Sequence, residues 1–184
     1  SRDMDASIVR FCSVTGIGKS KDEWIVETDK GPIQCEIVVN ASGYYAQRVG
    51  DWFLPYGGRS VPMAVMSHQY LLTEEIPELV QRAEETSHKL PLLRDVDSSY
   101  YLRQEKNGLN LGPYERNCKV HWKDEEDPLP EDFSFQLYPD DLDRLEWYVD
   151  DAMKRVPILG RAGISKVING PIPYTPDGNP LIGP

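Results

Sequence analysis

Apolar residues recur at helical spacing in one long segment of the last third of the sequence. They are Leu142, Leu145, Val149, Ala152 and Val156, and they fall on one face of a helix. This pattern predicts a helix over residues 140–156. Pro139 precedes its first turn, and two basic residues followed by Pro157 mark its end. Because one face of this helix is apolar, we expect it to pack on a sheet.

Segments rich in β-branched and aromatic residues predict strands elsewhere in the chain. These segments cover residues 24–28, 33–39, 63–73, 100–104 and 109–112, with a further strand and an ordered loop over 164–184. Asn107-Gly108 between two of these segments predicts a β-hairpin. The end of segment 33–39 is continuously apolar, which predicts a strand buried on both faces. This strand leads through small residues into a predicted helix over residues 44–53.

Composition and charge narrow the function classes. The 184 residues, 40% of them hydrophobic, are enough for one domain or for parts of two. No apolar run is long enough to cross a membrane, and residues 1–5 lead into no signal peptide. Residues 124–151 hold twelve acidic residues and one arginine, a net charge of −11. The net charge of the whole chain is −10, so the rest of the chain is about neutral. We interpret this acidic run as a solvated surface, and the charge argues against nucleic-acid binding.

The cysteines and histidines indicate neither a disulfide framework nor a metal site. The three cysteines, Cys12, Cys35 and Cys118, form no Cys-x-x-Cys pair, which is typical of free thiols in a reducing compartment. The three histidines are too widely spaced to predict a zinc site.

His68, Tyr100 and Tyr101 are candidates for chemistry, although the residues alone favour structural roles. His68 lies in a half-buried strand pattern, where a lone histidine is more often structural, yet an imidazole titrates near neutral pH and can act as a base. Tyr100 and Tyr101 should point to opposite faces of one strand. One of the two is therefore expected to face a pocket.

Four motifs carry a resemblance to a known family. They are Val38-Val39-Asn40-Ala41-Ser42-Gly43, His68-Gln69-Tyr70, Ser99-Tyr100-Tyr101-Leu102-Arg103-Gln104-Glu105 with Gly112-Pro113-Tyr114-Glu115, and Gly170-Pro171-Ile172-Pro173-Tyr174-Thr175-Pro176-Asp177. In this order the chain resembles the middle of the dimethylglycine and sarcosine dehydrogenase family, flavoenzymes of the glycine/D-amino-acid oxidase superfamily. The resemblance runs from Val14 to Pro184. The glycine-rich dinucleotide motif of that family, Gly-x-Gly-x-x-Gly, does not occur in this sequence.

The resemblance implies an α+β or α/β fold that is part of a two-domain FAD-binding oxidoreductase. Most of the chain would form the antiparallel-sheet substrate domain with a packed helix. Residues 1–57 would belong to the FAD-binding domain and residues 58–165 to the substrate-binding domain. Residues 166–184 would return to the FAD domain.

The resemblance also implies roles for particular residues. It assigns catalytic roles to His68 and Tyr100, and substrate-binding roles to Tyr101 and Arg103. The residues it implies for FAD contact are Val14, Asn40, Ala41, Gly43 and Tyr45, the last at a position where the family often has Trp.

The implied activity is the oxidative demethylation of N-methylated glycine, with dimethylglycine as the expected substrate. Sarcosine is the runner-up, and a non-catalytic phosphatase regulatory subunit of the same family is the alternative class. FAD is expected in the complete protein but not in this chain alone, because the loop that cradles the pyrophosphate is missing from its sequence. A tetrahydrofolate-binding region outside the chain is a further expectation. The electron acceptor, oxygen or an electron-transfer flavoprotein, stays open, and the expected compartment is the cytoplasm, ahead of the mitochondrial matrix.

Overall fold

A computed structural model describes residues 6–183, which divide into two compact units. Unit 1 comprises the described residues up to Met63 together with those from Thr175 onward, and unit 2 is Ala64–Tyr174. The sequence-based expectations for residues 1–5 and for residue 184 lie outside the described part of the chain. In the described residues, no helix combines the length and the apolar character that a membrane crossing requires.

Unit 1 is built around a three-stranded antiparallel sheet. Its strands are β1 (Val14–Ser20), β2 (Glu23–Thr28) and β3 (Ile33–Cys35), in the order β1-β2-β3. A 3-10 turn (Gly43–Tyr45) and helix α1 (Ala46–Asp51) follow, close to the predicted helix over 44–53. The indole of Trp24 in β2 meets Phe53 and Tyr56 edge to face, with ring centroids 5.1 and 5.6 Å apart. These aromatic contacts hold the segment after α1 against the sheet.

The predicted buried strand over residues 33–39 is shorter than expected. Strand β3 ends at Cys35, and Ile37 and Val39 are 77% and 80% exposed rather than buried. The reason is pairing: β3 has β2 as its neighbour, with Cys35 opposite Trp24, and β2 begins one residue before Trp24. Beyond Cys35 the chain has no strand beside it in unit 1 among the described residues. The apolar run is therefore present without the sheet that would bury it.

Unit 2 is an antiparallel sheet covered on one face by a helix. The sheet is formed by β4 (Ala64–Thr73), β5 (Leu93–Asp95), β6 (Tyr100–Glu105), β7 (Gly108–Pro113), β8 (Val120–His121) and β9 (Ile164–Tyr174), and the helices are α2 (Pro77–Glu85) and α3 (Leu142–Arg155). The spatial order is β5-β6-β7-β4-β8, and β9 pairs with β4 along nearly its whole length. This arrangement confirms the predicted antiparallel sheet and its packed helix.

The core of unit 2 lies between α3 and one face of the sheet. Its buried members include Leu71, Tyr100, Leu102, Leu111, Leu145, Tyr148, Ala152 and Val167. Burying such apolar side chains contributes roughly 1.5–3 kcal/mol each. The helical spacing of Leu145 and Ala152 correctly predicted the buried face of α3, whereas Leu142 at its start is 51% exposed.

The unit boundaries differ from the predicted domain boundaries at 57/58 and 165/166. Strand β4 begins at Ala64, and β9 continues to Tyr174, which pairs with Ala64. Residues 166–174 therefore belong to the sheet of unit 2 because their main chain is paired with β4. The functional assignment of the two parts to FAD and to substrate stays a prediction.

Candidate functional site

The alternation of side chains along β4 divides the sheet of unit 2 into two faces. Ser67, Gln69 and Leu71 are buried and lie on the face that α3 covers, which we call the helix face. His68 and Tyr70 lie between them in sequence and are half-buried on the opposite face, which we call the site face. The period of two in a strand enforces this separation.

Strand β6 places the two adjacent tyrosines on different faces. Leu102 pairs with Leu111, which pairs with Leu71, so all three belong to the helix face. Tyr100 shares that face with Leu102, is 0% exposed, and packs in the hydrophobic core. Its hydroxyl has no hydrogen-bond partner among the described residues. Burial raises the pKa of Tyr100, and the negative charge of the nearby Asp95 raises it further, so the phenol stays protonated.

Tyr101 and Arg103 lie on the site face with His68. Tyr101 is paired with Gly112 and Arg103 with Asn110, which in turn is paired with Leu72 of β4. The structure therefore brings three of the four predicted catalytic and substrate-binding residues to one face. It does not bring Tyr100 to them, because a residue next to Tyr101 in a strand must point the other way.

The ring of Tyr101 lies across the sheet over a glycine. A Cβ atom at Gly112 would overlap that ring, so the absence of a side chain there makes the space that the ring fills. Tyr114 meets the ring edge to face at 5.9 Å, and the guanidinium of Arg94 lies 4.9 Å from the centre of the Tyr114 ring. Burial raises the pKa of Tyr101, so its hydroxyl is a hydrogen-bond donor at neutral pH.

His68 is held as a neutral imidazole. Burial, the largest influence, lowers the pKa of His68 below its ordinary value of 6.5, and the positive charge of Arg144 acts in the same direction. The carboxylate of Glu115 and a hydrogen bond from the imidazole to the main-chain carbonyl of Pro113 oppose that shift. A neutral imidazole that donates one proton to a fixed carbonyl has its other nitrogen available as a base.

Arg103 is a cation on the site face with a carboxylate already beside it. Its guanidinium lies 3.1 Å from Glu105 two residues along the same strand, and both side chains are substantially exposed. An exposed pair of this kind contributes little to stability. Arg103 can therefore exchange Glu105 for a carboxylate of a bound molecule at small cost.

In unit 1, Asn40 organises the turn that precedes α1. Its amide donates to the carbonyl of Ala46 at 2.8 Å, and its side-chain oxygen accepts from the hydroxyl of Ser42 at 2.7 Å. The side chain is thus used within the turn. Any contact of this turn with a ligand would come from the main chain that Asn40 holds in shape.

The turn after Asn40 exposes main chain rather than side chains. Ala41 and Gly43 are exposed, and Gly43 has φ of +60°, with open space where a Cβ would be. A glycine of this kind allows a ligand to approach the backbone closely. The ring of Tyr45 contacts that of Tyr44 at a tilt of 44°, with ring centroids 4.9 Å apart, and Val14 at the start of β1 is 45% exposed. The assignment of these residues to a cofactor stays a prediction.

Two residues that the sequence did not single out complete the surroundings of His68. Glu115 is the last residue of the Gly-Pro-Tyr-Glu motif, and Arg144 is the single arginine of the acidic run 124–151. The carboxylate of Glu115 lies 2.6 Å from the guanidinium of Arg144, and the Glu115 side chain is 3% exposed. The isolated positive charge in an acidic segment was the signal that could have pointed to Arg144.

Other features of unit 2 do not extend the site. A surface pocket of about 270 Å³ lies beside α3, between Leu71, Leu145, Val149 and acidic residues of the helix, and it contains none of the predicted site residues. Within the described chain, no group of three or more His, Cys, Asp or Glu side chains is arranged to hold a metal ion.

Comparison with known proteins identifies the family of this chain. The chain matches the family model of the FAD-dependent oxidoreductases (DAO) over residues 2–184. It is 40% identical over 163 residues to the mitochondrial dimethylglycine dehydrogenase of Rattus norvegicus, covering 88% of the chain and 18% of that relative. It is 35% identical over 184 residues to the mitochondrial sarcosine dehydrogenase of Mus musculus, covering 97% of the chain and 18% of that relative. The chain thus spans less than a fifth of the length of these relatives.

Solved structures support the fold. The L-proline dehydrogenase from P. horikoshii superposes with a TM-score of 0.74 at 22% sequence identity, over 100% of this chain and 43% of that one. This likeness confirms the predicted fold class. The family match over residues 2–184 and the identity to these relatives show that the chain belongs to the family of FAD-dependent oxidoreductases and is related to the dimethylglycine and sarcosine dehydrogenases.

Proposed function

We propose that the protein carrying this chain oxidatively demethylates an N-methylated glycine, with dimethylglycine as the substrate, by hydride transfer from an N-methyl carbon. The observation that carries this proposal is the site face of unit 2. It presents the neutral imidazole of His68, the phenol of Tyr101 and the guanidinium of Arg103 together. A base, an aromatic ring and a cation are the groups that a zwitterionic methylated amino acid requires.

The first step required of the protein is deprotonation of the substrate. Dimethylglycine binds as an ammonium, and its nitrogen lone pair must be free to form the carbon–nitrogen double bond as hydride leaves. We assign this proton to the nitrogen of His68 that is not bonded to Pro113. The pKa of His68, lowered chiefly by burial, keeps that nitrogen unprotonated at neutral pH.

The remaining groups bind and orient the substrate. The ring of Tyr101, backed by Tyr114, offers a surface that attracts a methylated ammonium before it is deprotonated. Arg103 pairs with the substrate carboxylate in place of Glu105. Tyr100 is assigned a packing role, because its hydroxyl lies in the core on the helix face.

FAD, when bound, supplies the oxidant that accepts the hydride. We assign its contacts in this chain to Val14, to the exposed turn Asn40–Gly43 and to Tyr45. Loss of the hydride leaves an iminium on the substrate. Water then adds to this iminium and releases formaldehyde and sarcosine.

An isotope experiment on the complete flavoprotein tests the reaction. Dimethylglycine deuterated in both N-methyl groups should reduce the flavin more slowly than the unlabelled compound under anaerobic single-turnover conditions. Sarcosine and formaldehyde should appear in equal amounts after reoxidation. Equal rates for the two isotopologues in a reaction limited by chemistry, or a product that retains both methyl groups, would contradict the proposal.

Sarcosine is the second candidate substrate. The 35% identity to a sarcosine dehydrogenase over 184 residues favours it. Flavin reduction by unlabelled sarcosine and by unlabelled dimethylglycine, compared under the same single-turnover conditions, distinguishes the two, because the true substrate gives the faster reduction. A purified protein without flavin would instead support the non-catalytic regulatory alternative. An electron-transfer flavoprotein as acceptor and a tetrahydrofolate-binding region remain predictions.

A further inference from the structure

Strand β4 changes its pairing partner near His68, and a side chain bonds to its main chain between the two paired regions. The C-terminal half of β4 pairs with β7 at Leu71 and Leu72, whereas its N-terminal half pairs with β8 at Val65 and Met66. Between the two ladders, the main-chain N–H of Gln69 donates to Oε1 of Glu115 at 2.9 Å. A carboxylate thus takes the place of a strand carbonyl on one side of His68.

Arg144 fixes the main chain on the other side of His68. Its Nη1 donates to the Ser67 hydroxyl at 2.9 Å and its Nη2 to the Ser67 carbonyl at 3.0 Å. Its Nε donates to Oε2 of Glu115 at 2.9 Å. Glu115 and Arg144 therefore hold the residues before and after His68 as one bonded unit, with side chains only 3% and 18% exposed.

The start of α3 is bonded to the same strand. The side-chain amide of Gln69 donates to the carbonyl of Asp141 at 3.0 Å, and the N–H of Asp141 donates back at 2.9 Å. Because Arg144 lies in the first turn of α3, these bonds fix its position relative to β4. The arrangement is a clamp that consists of Ser67, Gln69, Glu115, Asp141 and Arg144.

Two charges of this clamp act on His68. Glu115 raises the pKa of His68, and Arg144 lowers it by less. Asp141 lies 3.7 Å from Arg144, while the thiol of Cys118 and the phenol of Tyr174 also lie within electrostatic reach of Glu115. Burial raises the pKa of both the thiol and the phenol, so both stay uncharged at neutral pH, and Glu115 and Arg144 are the charges that act on the imidazole.

We propose that Glu115 and Arg144 are the positioning residues of His68: they fix the main chain on both its sides and set the charge that its imidazole faces. The proposal rests on the proposed function in one respect, the role of His68 as the acceptor of the substrate proton. Neither residue is assigned a contact with substrate. Their effect on His68 is a property of the protein with or without substrate.

The test compares Glu115→Gln with Glu146→Gln in the complete flavoprotein. Both substitutions remove one negative charge, but Glu146 is an exposed residue of α3 outside the clamp. Hydrogen–deuterium exchange at the imidazole C2 position, read by mass spectrometry as a function of pH, gives the titration midpoint of His68 without any substrate. Glu115→Gln should move this midpoint to lower pH, because the charge of Arg144 is then unopposed, and Glu146→Gln should leave it unchanged.

A second variant separates positioning from charge. Arg144→Lys keeps the positive charge but cannot form the fork of bonds to Ser67 and Glu115. We expect it to keep the His68 midpoint near that of the unsubstituted protein while slowing flavin reduction by roughly tenfold or more, because misplaced catalytic groups are costly. Arg144→Lys also serves as the test if Glu115→Gln does not fold.

The outcomes distinguish this proposal from the proposed function. An unchanged His68 midpoint in folded Glu115→Gln, or unchanged reduction in Arg144→Lys, would overturn the role of the clamp. If no N-methyl amino acid reduces the flavin of the unsubstituted protein, the proposed function fails. The shift of the His68 midpoint in Glu115→Gln still tests the electrostatic part of the clamp in that case.

Discussion

At the scale of single residues, the two adjacent tyrosines show how much depends on one position. Strand alternation predicts that Tyr100 and Tyr101 face opposite ways, but not which face the helix covers. That choice is set by register: Leu102 pairs with Leu111 and so with the core under α3, which takes Tyr100 with it. The resemblance assigned catalysis to the first tyrosine, whereas the second shares a face with His68.

The two tyrosines give the first prediction. Tyr101→Phe should slow flavin reduction by the amine in the complete flavoprotein by about tenfold, because it keeps the ring but removes a hydrogen-bond donor from the site face. Tyr100→Phe is the matched control. It removes a buried hydroxyl without a partner among the described residues, so it should leave the rate unchanged and stability equal or higher. The rate of flavin reduction in both variants, measured by stopped flow, tests this assignment. A slower rate in Tyr100→Phe with a normal rate in Tyr101→Phe would reverse it.

His68 gives a prediction about pH. Because burial lowers the pKa of His68, its neutral form persists down to pH values below 6.5, and the base is lost only as pH falls through that lower pKa. The rate of flavin reduction at saturating amine should therefore have an acid limb below pH 6.5. His68→Ala should reduce the rate by roughly 10²–10⁴-fold and remove this limb. If His68→Ala keeps the acid limb unchanged, the limb reports the titration of another group and His68 is not the base.

At the scale of elements, local patterns predicted most of the strands and helices and missed what depends on distant partners. The spacing of Leu145 and Ala152 was enough for α3, and Asn107-Gly108 was enough for the hairpin of β6 and β7. The predicted strand over residues 36–39 was wrong because an apolar run forms a strand only beside another strand. The clamp could not be predicted either, since Glu115 lies in the loop after β7 and Arg144 on α3, and the two meet only when α3 packs on the sheet.

The pairing of β6 with β7 gives a prediction about stability. Gly112→Ala should lower the free energy of unfolding by about 1–3 kcal/mol, because its methyl group would occupy the space of the Tyr101 ring. Gly170→Ala in β9 is the control, since its nearest neighbour would be the end of the Leu137 side chain at 3.4 Å. The cost of Gly112→Ala should shrink when Tyr101→Ala is also present. Equal costs in both backgrounds, measured by urea unfolding, would contradict this packing.

At the scale of the whole molecule, the two units were only partly predictable. The resemblance implied a division at 57/58, close to the start of β4 at Ala64. Unit 2 extends past the predicted boundary at 165/166 because β9 pairs with β4 up to Tyr174, and pairing between residues more than a hundred positions apart leaves no local signal. The functional domain boundaries stay a prediction. The family resemblance, in contrast, was confirmed by the match over residues 2–184.

FAD retention is the prediction that belongs to this scale. The sequence has no Gly-x-Gly-x-x-Gly loop to bind the pyrophosphate, so the chain produced alone should purify without FAD. Absorbance of the purified chain near the flavin bands, with the complete flavoprotein as the positive control, measures this directly. One FAD per chain after purification would show that the exposed turn Asn40–Gly43 and its neighbours suffice for binding.

The central claim is that an N-methylated glycine is oxidised at its methyl carbon. The most direct measurement is anaerobic mixing of the complete flavoprotein with dimethylglycine, sarcosine and trimethylglycine in separate experiments, followed by the loss of flavin absorbance. Trimethylglycine is the matched control because its quaternary nitrogen has neither a proton to give nor a lone pair. We predict rapid loss with dimethylglycine, slower loss with sarcosine and none with trimethylglycine. A flavin-loaded protein that responds to none of the three, or equally to trimethylglycine, would contradict the account.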